Sequence, residues 1–158
     1  MGGLAGRQKG DSIMNTIRVK KVRENAILPT YGSEGAAGAD LYSCLDESVT
    51  IEPGMSAFIP TGLSMEIPSG CAGLIYARSG LACKRGLAPA NKVGVIDSDY
   101  RGEFIVVLHN HGEVAQTICN GERIAQLVIT PVLTPAYHEV SELTDTQRAE
   151  GGFGSTGK

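Results

Sequence analysis

The 158-residue sequence contains no tryptophan, and only 5% of it is aromatic. It has no excess of positive charge: 14 Lys and Arg stand against 17 Asp and Glu, for a formal net charge of −3. A general nucleic-acid surface is normally basic, so nucleic acid is not an expected partner. A small anionic ligand remains open, because its site needs only a few local cations and backbone donors. No apolar run approaches transmembrane length, and the first fourteen residues lack the apolar core of a signal peptide. No membrane partner is expected, and a soluble, reducing, cytoplasmic compartment is the default. The four cysteines, Cys44, Cys71, Cys83 and Cys119, have neither zinc-knuckle nor redox-pair spacing. They read as small, partly buried, reduced thiols. His109 and His111 share one face of a strand, but with no third ligand nearby they read as solvated hairpin residues.

A long helical period is also missing, as is any internal repeat. Short apolar runs broken by Gly and Pro take their place. Residues 17–22, 48–51, 55–61, 63–67, 72–77, 93–96, 103–109, 117–119 and 123–131 read as strands. Pro53-Gly54, Pro68-Ser69-Gly70 and Asn120-Gly121 punctuate them as turns. Strands every ten residues or so predict an all-β sandwich or barrel in residues 15–147. One helical turn is predicted over Ser79–Arg85, with Ser79 as its N-cap. Residues 1–14 have no hydrophobic period and read as a disordered extension or an expression remnant.

Residues 148–158 are dominated by glycine and predict an arm that is mobile until a ligand orders it. Residues 152–158 match the core of a Walker A loop, and Gly152, Gly154 and Gly157 match a dinucleotide fingerprint. Both motifs require a preceding strand and a following helix, and neither context is present. The chemistry of the segment survives that exclusion. Ser155, Thr156 and the backbone around Gly154 offer donors to a phosphate, and Phe153 offers a stacking surface for a base.

Four further segments share this polar, glycine-marked character. GAAGADLYS carries Asp40 after a glycine turn, at the start of a further strand. YARSGLA carries Arg78 and Ser79 where a helix begins, a place suited to phosphate. GVIDSDYRG carries Asp97 after an apolar triplet, then Tyr100. RIAQLV carries Gln126 within an apolar strand. Taken singly, each residue has an ordinary role: Asp40 capping a turn, Arg78 pairing with a surface acid, Asp97 and Asp99 in a turn, Gln126 satisfying a strand edge.

Together with GGFGSTG, these segments resemble the five ordered motifs of the dUTPase family, in family order and at family-like spacing, from about residue 17 to the end. The resemblance implies a jelly-roll-like β fold, a homotrimer with shared sites, dUTP as substrate and Mg²⁺ as cofactor. It implies that Asp40 orients water on the metal and that Arg78, Ser79 and Gly80 hold phosphates. Asn91 and the Gly94, Val95 and Ile96 backbone are implied to read uracil. Asp97 is implied to activate the attacking water, Tyr100 to pack under the deoxyribose and Gln126 to support the phosphates. Arg148, Phe153, Gly154, Ser155 and Thr156 are implied to close over the ligand from a neighbouring subunit.

Two positions depart from the family pattern. Ala77 stands where Pro often precedes Arg-Ser-Gly, and Ala149 where Gly usually follows the arginine. The second departure is expected to strain the arm if its backbone has positive φ. Three other readings compete: a dCTP deaminase, which by resemblance would lack the GGFGSTG arm; a non-catalytic interaction or regulatory protein on the same scaffold; and a purely structural β-trimer, which would leave the ordered motifs unexplained.

Overall fold

The computed structural model describes residues 16–152. Twelve strands and one helix succeed one another in the chain. β1 to β4 are Val19–Lys21, Thr30–Tyr31, Ala39–Tyr42 and Val49–Ile51. β5 to β7 are Ser56–Pro60, Leu63–Met65 and Cys71–Tyr76, and α1 is Ser79–Arg85. β8 to β12 are Leu87–Pro89, Gly94–Ile96, Ile105–Asn110, Gln116–Ile118 and Arg123–Pro131. Within these residues the fold is all-β and jelly-roll-like, with the single short helix.

The largest sheet has the order β2-β3-β12-β7-β9, and a second has the order β5-β10-β8. The pairs β1–β6 and β4–β11 complete the framework. Every pairing is antiparallel. Inward-facing residues of the sheets form one core, in which Leu41, Ile59, Leu63, Leu87, Phe104, Leu108, Ile118 and Ile124 are fully buried. Each such side chain contributes roughly 1.5–3 kcal/mol by leaving water. β10 shows the pattern that produces this: Val106, Leu108 and Asn110 point inward, while Ile105 stays exposed. Asn110 is tolerated in the core because its Nδ2 donates to the carbonyls of Ile51 and Val114, both at 2.9 Å, and its Oδ1 accepts from Gly112 N–H.

Two features of the framework place polar side chains at one end of the largest sheet. The first is α1. Its seven residues are too few to persist alone, and Arg85 ties it to the sheet. Arg85 donates to Gln116 Oε1 at 2.9 Å, to Glu122 Oε2 at 2.8 Å and to the Thr117 carbonyl at 2.5 Å. Gly86, with φ of 66°, ends the helix in the left-handed region. The expected N-cap is corrected: Arg78 occupies that position with extended backbone, no side chain caps the helix, and Ser79 is its first residue.

The second feature is a β-bulge in β12. Arg123 pairs with Tyr42, and Ala125 pairs with the adjacent Leu41, so Ile124 is an extra residue. Ile124 and Ala125 consequently both point into the core, at 0% exposure each.

The cysteines are all free thiols. Cys44 is buried, and burial raises its pKa above the ordinary thiol value. Cys83 and Cys119 are exposed rather than partly buried, since they lie on the outer side of the helix and at a strand end. Among the described residues no helix is long and apolar enough to cross a membrane.

Candidate active site

The sheet register gathers one group of polar residues at the same end of the largest sheet. Asp40 on β3 lies opposite Gln126 on β12, and Gln126 lies opposite Tyr76 on β7. Two residues beyond Tyr76 the chain reaches Arg78 and turns into α1. Together with Gly32, Ala36, Gly38, Ser79, Gly80 and Arg123, the residues Asp40, Arg78 and Gln126 line a cleft of about 300 Å³.

Asp40 is its electrostatic centre. It is only 8% exposed, and a carboxylate that deep needs partners. Arg78 Nε donates to its Oδ1 at 2.7 Å, and Arg123 Nη1 to its Oδ2 at 3.3 Å. One carboxylate between two guanidinium groups leaves a net positive charge facing the cleft. Gln126 Nε2 donates to the Ala77 carbonyl at 2.9 Å, which fixes the backbone just before Arg78. Gly38 makes room for that amide: a Cβ there would stand 2.7 Å from Gln126 Oε1. Ser79 and Gly80 are exposed, and a Cβ built on Gly80 meets nothing within 4 Å.

A second group lies elsewhere. The turn at Asn91 and Lys92 carries the chain from β8, in the three-stranded sheet, to β9, in the five-stranded one. Lys92 takes φ of 66° to do so. Asn91, Gly94, Val95 and Ile96 line a pocket of about 100 Å³ with Ile105 and Val107, closer in size to a single ring than to a nucleotide. Gly94 packs closely: a Cβ there would approach Ile75 Cβ to 3.2 Å. Asp97 follows Ile96 and is exposed. Tyr100 folds back over Gly102, donates to the Glu103 carbonyl at 3.1 Å and stands 6.2 Å from the Phe104 ring.

The second group runs away from the first: Gly94 pairs with Ile75, one strand position from the row of Gln126 and Tyr76, but the residues after it do not stay there. Ile96 pairs with Gly73, whereas Gln126 pairs with Tyr76. Asp97 therefore continues toward the level of Ala72, four strand positions or about 14 Å from the row of Asp40 and Gln126.

Arg148 forms a third group. Its Nε donates to the Gly151 carbonyl at 2.8 Å, in a segment without strand or helix, and Ala149 beside it has φ of 42°. Phe153, Gly154, Ser155 and Thr156 lie outside the described residues, as does the expected extension at residues 1–14.

His109 and His111 are more structured than expected. Their rings sit edge-on with centroids 4.4 Å apart, and His109 Nδ1 lies 2.8 Å from Ser56 Oγ. Partial desolvation lowers the pKa of His111, helped by the charges of Lys92 and His109. No cluster of three or more His, Cys, Asp or Glu suited to a metal occurs among the described residues.

Sequence reasoning passed over Arg123. It stands three positions before Gln126, which in a regular strand would put the two on opposite faces. The bulge that brings them to one face leaves only a faint trace, the two successive apolar residues Ile124 and Ala125.

Fold and cleft together define a jelly-roll-like β domain with a basic cleft at one end of its largest sheet. A family model described as dUTPase matches residues 24–157. The chain is 50% identical over 149 residues to deoxyuridine 5'-triphosphate nucleotidohydrolase of Desulfitobacterium hafniense, covering 91% of this chain and 99% of that one. It is 47% identical to the protein of the same name from Syntrophotalea carbinolica, over 90% of this chain and 97% of that one. A solved structure of Staphylococcus bacteriophage 80alpha dUTPase with dUpNHpp superposes with a TM-score of 0.84 at 33% identity, over 91% of this chain and 99% of that one. A mutant dUTPase of phage phi11 of S. aureus, described as coordinating a structural Mg(II) ion, gives 0.75 at 29% identity, over 83% of this chain and 100% of that one. The chain belongs to the dUTPase family.

Proposed function

We infer that this protein hydrolyses dUTP to dUMP and pyrophosphate, which supplies dUMP for thymidylate synthesis and keeps uracil out of DNA. The observation that carries the reading is the cleft that gathers Asp40, Arg78, Ser79, Gly80 and Gln126 from distant parts of the chain around a net positive charge. The names of its relatives at 47–50% identity support the same substrate.

Arg78 and the donors at Ser79 and Gly80 hold the phosphates and offset charge that would repel a nucleophile. Asn91 and the Gly94–Ile96 backbone read the uracil edge in the small pocket. Asp97 takes a proton from water as its oxygen bonds to the α-phosphorus. The bond from that phosphorus to the bridging oxygen breaks, and pyrophosphate leaves. Tyr100 blocks a 2'-hydroxyl, and the tight hairpin blocks a 5-methyl. Arg148 with Phe153, Gly154, Ser155 and Thr156 closes the site and excludes water.

Mg²⁺ is the cofactor of this reading. Asp40 would help hold it through water: each carboxylate oxygen accepts one guanidinium hydrogen bond and keeps a lone pair for a further donor. When bound, the ion neutralises charge on the phosphate oxygens. The assembly is a homotrimer with shared sites. What supports it is the separation of about 14 Å between Asp97 and the phosphate group within one chain, so that a bound nucleotide meets the two from different copies. The free cysteines suit a reducing cytoplasm.

Pyrophosphate release with Mg²⁺ from dUTP, UTP, dTTP and dCTP, measured beside an ammonia assay, tests this. Release from dUTP alone is expected. Ammonia from dCTP would establish a deaminase instead, and no release from any of the four would leave a binding protein.

A further inference from the structure

We propose that Arg123 is a positioning residue of the phosphate cleft: the β12 bulge turns it onto the cleft face, where it clamps Asp40 from the side opposite Arg78 and so fixes where Arg78 meets a phosphate. This rests on the reading of that cleft as the phosphate site.

The backbone provides the first part of the case. Arg123 and Gln126 are three residues apart, and a strand alternates with period two. The extra residue at Ile124 restores the phase, so Arg123 shares the face of Tyr42, Asp40 and Gln126. Bulges that re-aim one side chain are concentrated beside functional sites. This one places two successive residues in the core and sends one guanidinium outward.

Electrostatics provides the second. The Asp40 side chain is 12% exposed, while that of Arg123 is 52% exposed. A carboxylate so enclosed keeps its charge only with partners on it. Arg78 engages Oδ1 at 2.7 Å and Arg123 engages Oδ2 at 3.3 Å, so rotating the carboxylate gives up both contacts. With Arg123 present the triad carries one net positive charge. Without it, Asp40 and Arg78 cancel, and Oδ2 is free to draw the Arg78 guanidinium away from an incoming phosphate. Arg123 also lies on the ridge between this cleft and a neighbouring one of about 510 Å³ that contains Lys84, so its loss lowers the positive potential on both sides.

The test is a double-mutant cycle on the full chain: wild type, Arg123→Gln, Asp40→Asn and the double variant, with Arg123→Lys as the conservative replacement. Steady-state KM and kcat for dUTP are read with Mg²⁺ saturating, beside melting temperature. Arg123→Gln is expected to raise KM on the order of tenfold with kcat within about threefold, with the protein still folded at the assay temperature and its melting temperature modestly lowered. Arg123→Lys, which keeps the charge, is expected to recover most of that KM. In the Asp40→Asn background, Arg123→Gln is expected to add little, because its action runs through Asp40. Additive losses in the double variant, a fall in kcat with KM intact, or Arg123→Gln kinetics equal to wild type would each overturn the proposal. Calorimetric titration with inorganic tripolyphosphate reads the same coupling without turnover. A wild type that binds tripolyphosphate through coupled Arg123 and Asp40 but leaves dUTP intact would sink the dUTPase reading and not this one. Uncoupled tripolyphosphate binding would sink this one.

Discussion

A carboxylate is a weak base at neutral pH, so whatever Asp97 contributes to proton transfer must come from placement. It stands exposed at the end of β9, outside the ion pairs that hold Asp40. Replacing it with Asn preserves size but turns one acceptor oxygen into a donor and removes any capacity to take a proton. Asp97→Asn is expected to bind the non-hydrolysable analogue dUpNHpp as wild type does while kcat falls roughly 10²–10⁴-fold; turnover near wild type would remove Asp97 from the chemistry. Gly80 tests a different contact. Because a Cβ there meets nothing in the chain, Gly80→Ala is expected to keep the melting temperature and raise KM for dUTP. An unchanged KM would show that no phosphate approaches that backbone. Arg78 and Gln126 could be picked out as lining residues of the cleft because they sit in unusual motifs. Arg123 opens the RIAQLV motif, yet its place on the cleft face could not be read there, because it depends on a backbone irregularity.

The elements most legible in advance were those with a clear alternation or a clear boundary. β12 and α1 fall on the predicted bounds, and most of the other expected strands lie within a residue or two of theirs. The turn signals also mark real connections between β4 and β5, β6 and β7, and β11 and β12. β2 and β8 escaped. Thr30–Tyr31 is too short to alternate, and Leu87–Pro89 ends in a residue that argues against a strand. Both are edge strands, which get their pairing from neighbours rather than from propensity. The arm carries its own irregularity. Ala149, at φ of 42°, holds a conformation that favours glycine, and Ala149 N–H donates to the Thr146 carbonyl at 3.1 Å in that turn. Ala149→Gly is expected to lower the apparent KM for dUTP about fivefold, the equivalent of ~1 kcal/mol of relieved strain, with kcat unchanged. Equal KM values would show that the turn has no bearing on closure.

For the whole molecule, the feature that matters most is that Asp97 lies about four strand positions from the row of Asp40 and Gln126 within one chain. No motif reveals this, since sequence order says nothing about which end of a strand a loop reaches in the folded sheet. If a nucleotide spans two copies, two defective chains repair each other. An Arg78→Ala chain mixed with an Asp97→Asn chain, after denaturation and joint refolding, is expected to recover about a quarter of wild-type activity, the share of sites that draw both intact residues by chance. No recovery would confine each site to one chain. The separation also has a genetic meaning. On the proposed reading of shared sites, alleles altered at Arg78 or Gln126 and alleles altered at Asp97 or Tyr100 are expected to fall into two classes, with a cell expressing one of each class regaining part of what neither allele supports alone. Two alleles from the same class would give no rescue, so heredity alone would sort the residues of this chain by the copy that supplies them to a site.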